Sequence, residues 1–114
     1  MKLAVRGQKM DLTPSILDHI RGRIHAALDQ HAGRVRSVSV VVGDENGPRG
    51  GVDQFCRVHV HLVNGQTLRH HRTGEDLYAN VSLLADTVKR RVGRYVAKAR
   101  AHGRSRRSER LSLN

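Results

Sequence analysis

The strongest constraint on this chain is a helical stripe near its C-terminal end. Leu77, Val81, Leu84, Val88, Val92, Tyr95, Val96 and Ala99 recur at steps of three and four, the spacing of one helical face that requires burial. Asp76 stands just before the pattern and suits an N-cap, because its carboxylate can accept from the unpaired backbone N–H groups of the first turn. The spacing predicts a helix of about six or seven turns at 3.6 residues each.

Charge says what such a helix is for. Residues 89–114 hold ten Lys or Arg against one acid, Glu109, and so carry nine of the chain's eleven net positive charges. At about 100° per residue, Arg90 and Arg94 fall opposite the apolar stripe, Lys89 and Arg100 flank it on one side, and Arg91 and Lys98 on the other. A plain solvated face normally mixes both signs, yet no acid intervenes between Asp86 and Glu109. Like charges at i,i+4 destabilise an isolated helix, so a polyanionic partner accounts better for the run. The stretch from Gly103, with Arg104, Arg106 and Arg107, is expected to be a basic tail, disordered when free, that adds affinity without specificity. A merely solubilising tail is its alternative.

With 114 residues the chain has room for a single domain with one modest core. No apolar run is long enough to span a bilayer and no basic-then-apolar leader opens the chain, which is the pattern of a soluble, cytoplasmic protein. The single cysteine, Cys56, excludes an intramolecular disulfide and a cysteine-cluster zinc site. A pI near 11.4 with no Trp, two Tyr and one Phe points to a nucleic-acid binder that grips phosphates rather than stacking bases.

Taken in order, Met1–Arg6 is predicted as a short strand that breaks at Gly7-Gln8-Lys9. Thr13 as N-cap and Pro14 at the first helical position start a helix, whose buried stripe is Ile16, Leu17, Ile20, Ile24, Ala27 and Leu28. Gly33 is its expected stop. Val35–Val42 is a strand with Val38, Val40 and Val42 on one face. Residues 43–51 form a long polar turn. It is no phosphate loop, having no Gly-Lys-Ser/Thr ending and no following helix. Gln54–Val63 alternates Cys56, Val58, Val60 and Leu62 against Phe55, Arg57, His59 and His61. Asn64-Gly65 signals a tight hairpin, and Gln66–Arg72 returns as a fourth strand. The resulting order, β-α-β-β-β-α, predicts a single α+β domain over residues 1–102. Two helices would cover one face of a four-stranded antiparallel sheet and leave the other face to solvent.

This arrangement resembles the bacterial ribosome hibernation-promoting factor and ribosome-associated translation inhibitor family over about residues 1–100. The likeness rests on Gly7 after the first strand, Asp11-Leu12-Thr13 opening a helix, and Val35-x-x-Val38-x-Val40 after it. It rests most on Gly74-Glu75-Asp76-Leu77-Tyr78-Ala79 with Val88-x-Arg90-x-Val92-x-Arg94-Tyr95. The resemblance implies a domain that lodges in the mRNA and tRNA channel of the small ribosomal subunit and silences translation in stationary phase or stress, basic residues of both helices meeting 16S rRNA. It places Arg23, Arg90 and Arg94 on basic positions of the family. Three departures stand out. His70 and Arg72 fall where family strands put small residues facing the helices, so either the strand register is shifted by one residue or this core is unusual. Gly93 interrupts the last helix at a cost of about 1 kcal/mol relative to Ala. The chain also stops without the second domain that pairs ribosomes in long members, as a short form would.

Other chemistry is weakly supported. His59, His61, His70 and His71 lie on neighbouring strands, but a metal site needs three or four ligands converging at about 2.0–2.1 Å, with no acid or cysteine suitably placed here. Arg57 and Arg69 with His59, His61 and His71 can instead make the open sheet face a second RNA surface, though without the aromatic platform that stacks bases. No nucleophile is paired with an oriented base, so no enzyme is expected. The sequence thus predicts a monomeric ribosome-binding protein with no cofactor, no small-molecule substrate and no membrane. Arg23, Lys89, Arg90, Arg91, Arg94 and Lys98 would grip the rRNA phosphates. A general double-stranded RNA- or DNA-binding module is the main alternative, because the topology resembles double-stranded RNA-binding domains in outline. A dimeric or metal-stabilised regulator is a third.

Overall fold

In the computed structural model, the backbone is described for residues 1–44 and 53–112, and side chains for residues 1–44 and 53–101. The elements follow the predicted order: β1 (Lys2–Gln8), α1 (Pro14–Leu28), β2 (Val35–Asp44), β3 (Gln54–Leu62), β4 (Thr67–Gly74) and α2 (Leu77–Ser112). They form one four-stranded sheet, ordered β1-β2-β3-β4.

The sheet is mixed, not antiparallel as expected. β1 and β2 pair in parallel, while β2–β3 and β3–β4 are antiparallel. The reason lies in the connections. Helix α1 returns the chain to the start of the sheet before β2, as a parallel pair requires, whereas no crossover helix separates the later strands and the tight turn at Gly65 reverses β3 into β4. The long polar turn expected at residues 43–51 lies almost wholly outside the described residues. The β1 turn is tight: Lys9 has φ 57°, and a Cβ on Gly7 would stand 2.5 Å from the Met10 carbonyl oxygen. At the β3–β4 hairpin Gly65 adopts φ 92°, the left-handed conformation that glycine tolerates without strain. The Asn64 side chain accepts from the Gln66 N–H at 3.0 Å and donates to the Tyr95 hydroxyl at 2.6 Å, which ties this hairpin to α2.

Both helices start where their caps predict. Thr13 Oγ1 accepts from the Ile16 N–H at 3.3 Å, and Asp76 Oδ1 from the Ala79 N–H at 3.2 Å. Their far ends differ from expectation. α1 stops at Leu28 and tightens into a 3-10 segment, Asp29–Arg34, that contains Gly33. α2 continues helical in backbone to Ser112, about ten turns, and so crosses the boundary expected at residue 102. Once a packed stripe has nucleated a helix, each further residue adds a hydrogen bond. Gly93 and Gly103 cost only about 1 kcal/mol each and no proline intervenes.

The core lies between the sheet and the helices. Ile20, Ile24 and Leu28 of α1 meet Val38, Val40 and Val42 of β2, Val58 and Val60 of β3, and Val81, Val88 and Val92 of α2, all essentially inaccessible. This aliphatic interior matches the predicted stripes, except that Leu17 and Tyr95 are half-buried, Ala99 is exposed and Ala85 is buried. Asn80 is an added buried polar group, whose amide donates to the carbonyls of Gln54 at 3.0 Å and Gly74 at 3.1 Å.

Register also decides between the two readings of His70. It pairs with Val58, and Arg72 with Cys56, so the predicted register holds and His70 faces the helices at 5 % exposure. Arg72 shares that face near the strand end and is exposed. The core is therefore the unusual feature.

Candidate nucleic-acid interface

Helix α2 supplies most of the candidate site. Val88, Val92 and Val96 point into the core, which turns Lys89, Arg90, Arg91, Arg94 and Lys98 outward, and all five are exposed. They fan around the helix. Gly93 faces the α1 side, where a Cβ would lie 3.9 Å from His31 Nε2, and Lys89, one turn earlier, shares that side. Arg90 and Arg94 stand on the outermost line. Arg91, Arg94 and Lys98 line a cleft of about 320 Å³ against Thr67, Leu68, Arg69 and His70 of the edge strand β4.

Arg23 joins this set from α1. The His19 ring lies 5.0 Å from that of Tyr78, and its Nε2 is within 3.1 Å of Ser82 Oγ. His31 meets the position of Gly93 further along, so the two helices run side by side in the same direction. Arg23, one turn after His19 and exposed, therefore lies along the seam on the side towards α2. Among the described residues none of the six predicted cations forms an ion pair, whereas on α1 His25 Nδ1 lies 3.8 Å from Asp29 Oδ1. Unpaired guanidinium and ammonium groups on a fixed frame suit phosphate oxygens, which Arg can meet through two parallel hydrogen bonds.

Sequence reasoning missed the cleft itself. Arg69 and His70 lie more than twenty residues from Arg91, and only the β4–α2 packing brings them together. His70 is the odd member, since neither of its buried ring nitrogens reaches a hydrogen-bond partner. Burial lowers its pKa below the ordinary 6.5; the nearby Val58 backbone partly offsets this, and the charges of Arg91 and His59 add to it. Cys56, on the helix-covered face of β3, has its thiol pKa pushed up to about 12 by burial.

The four strand histidines do not converge. Strand alternation puts His59, His61 and His71 on the open sheet face and His70 on the helix-covered one. On the open face the His59 and His61 rings stand edge to face at 6.5 Å, and His61 Nδ1 lies 3.0 Å from Thr67 Oγ1. Burial, then Arg69, Arg57 and His61, lower the pKa of His59. Phe55, on the same face, is 4 % exposed, covered in part by Arg57 at 5.3 Å and His71 at 6.1 Å. It therefore offers no free ring for a base to stack on. Among the described residues no helix is long and apolar enough to cross a membrane.

Comparison with known proteins agrees with this architecture. The ribosome hibernation promoting factor of Klebsiella oxytoca is 26 % identical over 102 residues, covering 90 % of this chain and all of that protein. The chloroplastic ribosome-binding factor PSRP1 of Spinacia oleracea is 22 % identical over 91 % of this chain, which spans only 35 % of that longer relative. Among solved structures, a ribosomal subunit interface protein from Coxiella burnetii superposes with TM-score 0.73 at 18 % identity, over 85 % of this chain and 99 % of that one. The N-terminal domain of Thermus thermophilus Protein Y gives 0.69 at 23 % identity, over 83 % and 99 %. The family profile described as sigma 54 modulation protein / S30EA ribosomal protein matches residues 3–100, and the chain belongs to that family.

Proposed function

We propose that this protein is a ribosome-associated hibernation factor that binds the small ribosomal subunit through 16S rRNA phosphates and inhibits translation by occupancy. The observation that carries the reading is the outer surface of α2, where Lys89, Arg90, Arg91, Arg94 and Lys98 are exposed, unpaired and uninterrupted by any acid. Arg23 extends that surface across the seam. The names of the relatives from Klebsiella oxytoca and spinach chloroplast support a ribosomal partner.

The mechanism is steric. Cations on the two helices hold the RNA backbone while the folded body fills space that mRNA and tRNA require, so the protein acts as a cytoplasmic monomer without turnover, cofactor or small-molecule substrate. Residues 103–114 form the tail of the binding unit. Carrying Arg104, Arg106, Arg107 and Arg110, they add affinity without specificity, because phosphate contacts position a protein but do not read sequence.

Co-sedimentation with purified 30S and 70S particles across a salt series tests this, with excess tRNA and duplex DNA as competitors. Near-stoichiometric binding that survives competition and weakens in an Arg90→Ala/Arg94→Ala variant is expected. Loss of the protein to tRNA or DNA at moderate salt would leave only a general nucleic-acid-binding module.

A further inference from the structure

The side of the sheet away from the helices has its own charge pattern. The register aligns Arg6, Val41, Arg57 and His71 in one row across the four strands, and Ala4, Ser39, His59 and Arg69 in the next. A third row runs Lys2, Ser37, His61 and Thr67. Cations thus stand on β1, β3 and β4, while β2 contributes only small or apolar residues between them. That alternation makes a trough of about 330 Å³, with Arg6 on one flank, Arg57 and His59 on the other, and Ala4, Ser39 and Val41 along its floor. No strand residue on this face is acidic, and the nearest carboxylates in sequence, Asp44 and Asp53, sit at strand ends.

A solvated sheet face usually alternates opposite charges across strands, because like charges on neighbouring strands repel. Here Arg57 and Arg69 lie diagonally across from each other with His59 between them. Such an arrangement gains most from a polyanion. A trough floored by small side chains admits a sugar–phosphate backbone. The absence of a free aromatic ring leaves nothing to hold bases, so contact is through phosphates.

We propose that the open sheet face is a second RNA-backbone-binding surface, separate from the helices, whose grip tightens in mild acid as His59, His61 and His71 take up protons. In these rows the charged groups beside the imidazoles are Lys2 and Arg6 from β1, Arg57 from β3 and Arg69 from β4; β2 contributes Ser37, Ser39 and Val41, with Arg36 exposed at the register shift next to Ser37. All these charged groups are cations, and after burial itself Arg69 and Arg57 disfavour a charged His59 in the free protein, lowering its pKa. A bound phosphate reverses that field and favours the imidazolium. RNA affinity and proton uptake are then linked, and binding strengthens as pH falls through the histidine range. The inference concerns RNA phosphates in general and stands or falls apart from the ribosomal reading.

The test is binding of a fluorescein-labelled 20-nucleotide oligouridylate, followed by anisotropy across a salt series at pH 7.5 and 5.5. It is read for the full chain and for an Arg57→Gln/Arg69→Gln variant. The variant should lower the slope of log K against log salt by about 1.4, at ~0.7 per phosphate contact on a single strand. A Lys2→Gln/Arg69→Gln variant, which keeps Arg57 on Phe55, should do the same if the first folds poorly. His59→Gln/His61→Gln/His71→Gln should abolish the tightening at pH 5.5 that these three residues contribute and leave pH 7.5 affinity within about twofold. Unchanged slopes in both arginine-containing variants, or an unchanged pH response in the histidine variant, would overturn the proposal. So would variants that lose only binding to phosphatidylserine vesicles, which would make the face a membrane contact.

Discussion

His70→Leu should stabilise this protein, and more so in acid. His70 is 5 % exposed, faces the aliphatic core beside Val58, and has no partner for either ring nitrogen. A buried donor or acceptor left without a partner costs about 1–3 kcal/mol, whereas an apolar group of similar shape can occupy the site without that penalty. Leucine has nearly the volume of the imidazole, so the expected gain at pH 7.5 is about 1–3 kcal/mol. For a domain of this size that is a rise in Tm of roughly 4 °C per kcal/mol. The pH dependence follows from linkage. Burial lowers the pKa of His70 in the folded state below 6.5, so below that pH the unfolded chain binds more protons and the folded state loses stability. The loss begins as pH falls through 6.5, grows at up to about 1.4 kcal/mol per pH unit, and levels off below the folded pKa. His59 adds a term of the same sign, but it is present in both proteins and cancels in the comparison. Urea unfolding at pH 7.5 and 5.5 should therefore show a stability gap between variant and parent that widens in acid. A variant less stable at both pH values, with an unchanged gap, would refute the reasoning. It would mean that the imidazole is satisfied through the cleft that Arg91 and Arg94 share with it.

Two other changes test the packing of α2. Asn80→Ala removes the amide that serves the Gln54 and Gly74 carbonyls. It should cost about 2 kcal/mol by urea unfolding, at roughly 1 kcal/mol per hydrogen bond. Gly93→Ala adds a methyl whose nearest neighbour, His31 Nε2, is at an ordinary 3.9 Å. It should raise Tm by up to about 4 °C through a helix-propensity gain of ~1 kcal/mol, and a fall would mean that the helices need closer contact there.

Most of the fold was legible because its signals are local. Thr13, Pro14 and Asp76 announce helix starts through their own hydrogen-bonding chemistry. Val38, Val40 and Val42 announce a strand through period two, and Asn64-Gly65 a reversal through its tolerance of positive φ. What was not legible depends on distant partners. Nothing in Lys2–Gln8 states that it lies parallel to β2, because parallel and antiparallel strands share one side-chain period. The alignment of Arg6 with Arg57 was hidden for the same reason. The β4–α2 cleft depends on which helix face meets the sheet edge, so Arg69 and Arg91 carry no sign of each other in sequence. The exposure of the six predicted cations was legible because helical periodicity alone turns them away from the buried stripes.

Inside and outside follow different rules here, and the contrast bears on function. The interior is held by Ile, Val and Leu packed between one sheet and two helices; the buried Asn80 amide nitrogen donates twice, whereas among the described residues the buried ring nitrogens of His70 reach no hydrogen-bond partner. Outside, among the described residues, the cations of α2 have no carboxylate partner. Surface charge of one sign raises self-repulsion and adds nothing to cohesion, so the core has to offset it. Intramolecular stability therefore gives no reason to keep Lys89, Arg90, Arg91, Arg94 and Lys98 unpaired; the phosphate-rich partner proposed above would. The same reasoning extends to Arg6, Arg57 and Arg69 on the open sheet. A domain only one sheet and one helical layer thick would then present phosphate-binding surfaces on both sides, and a body held between RNA walls would block a channel by bulk alone.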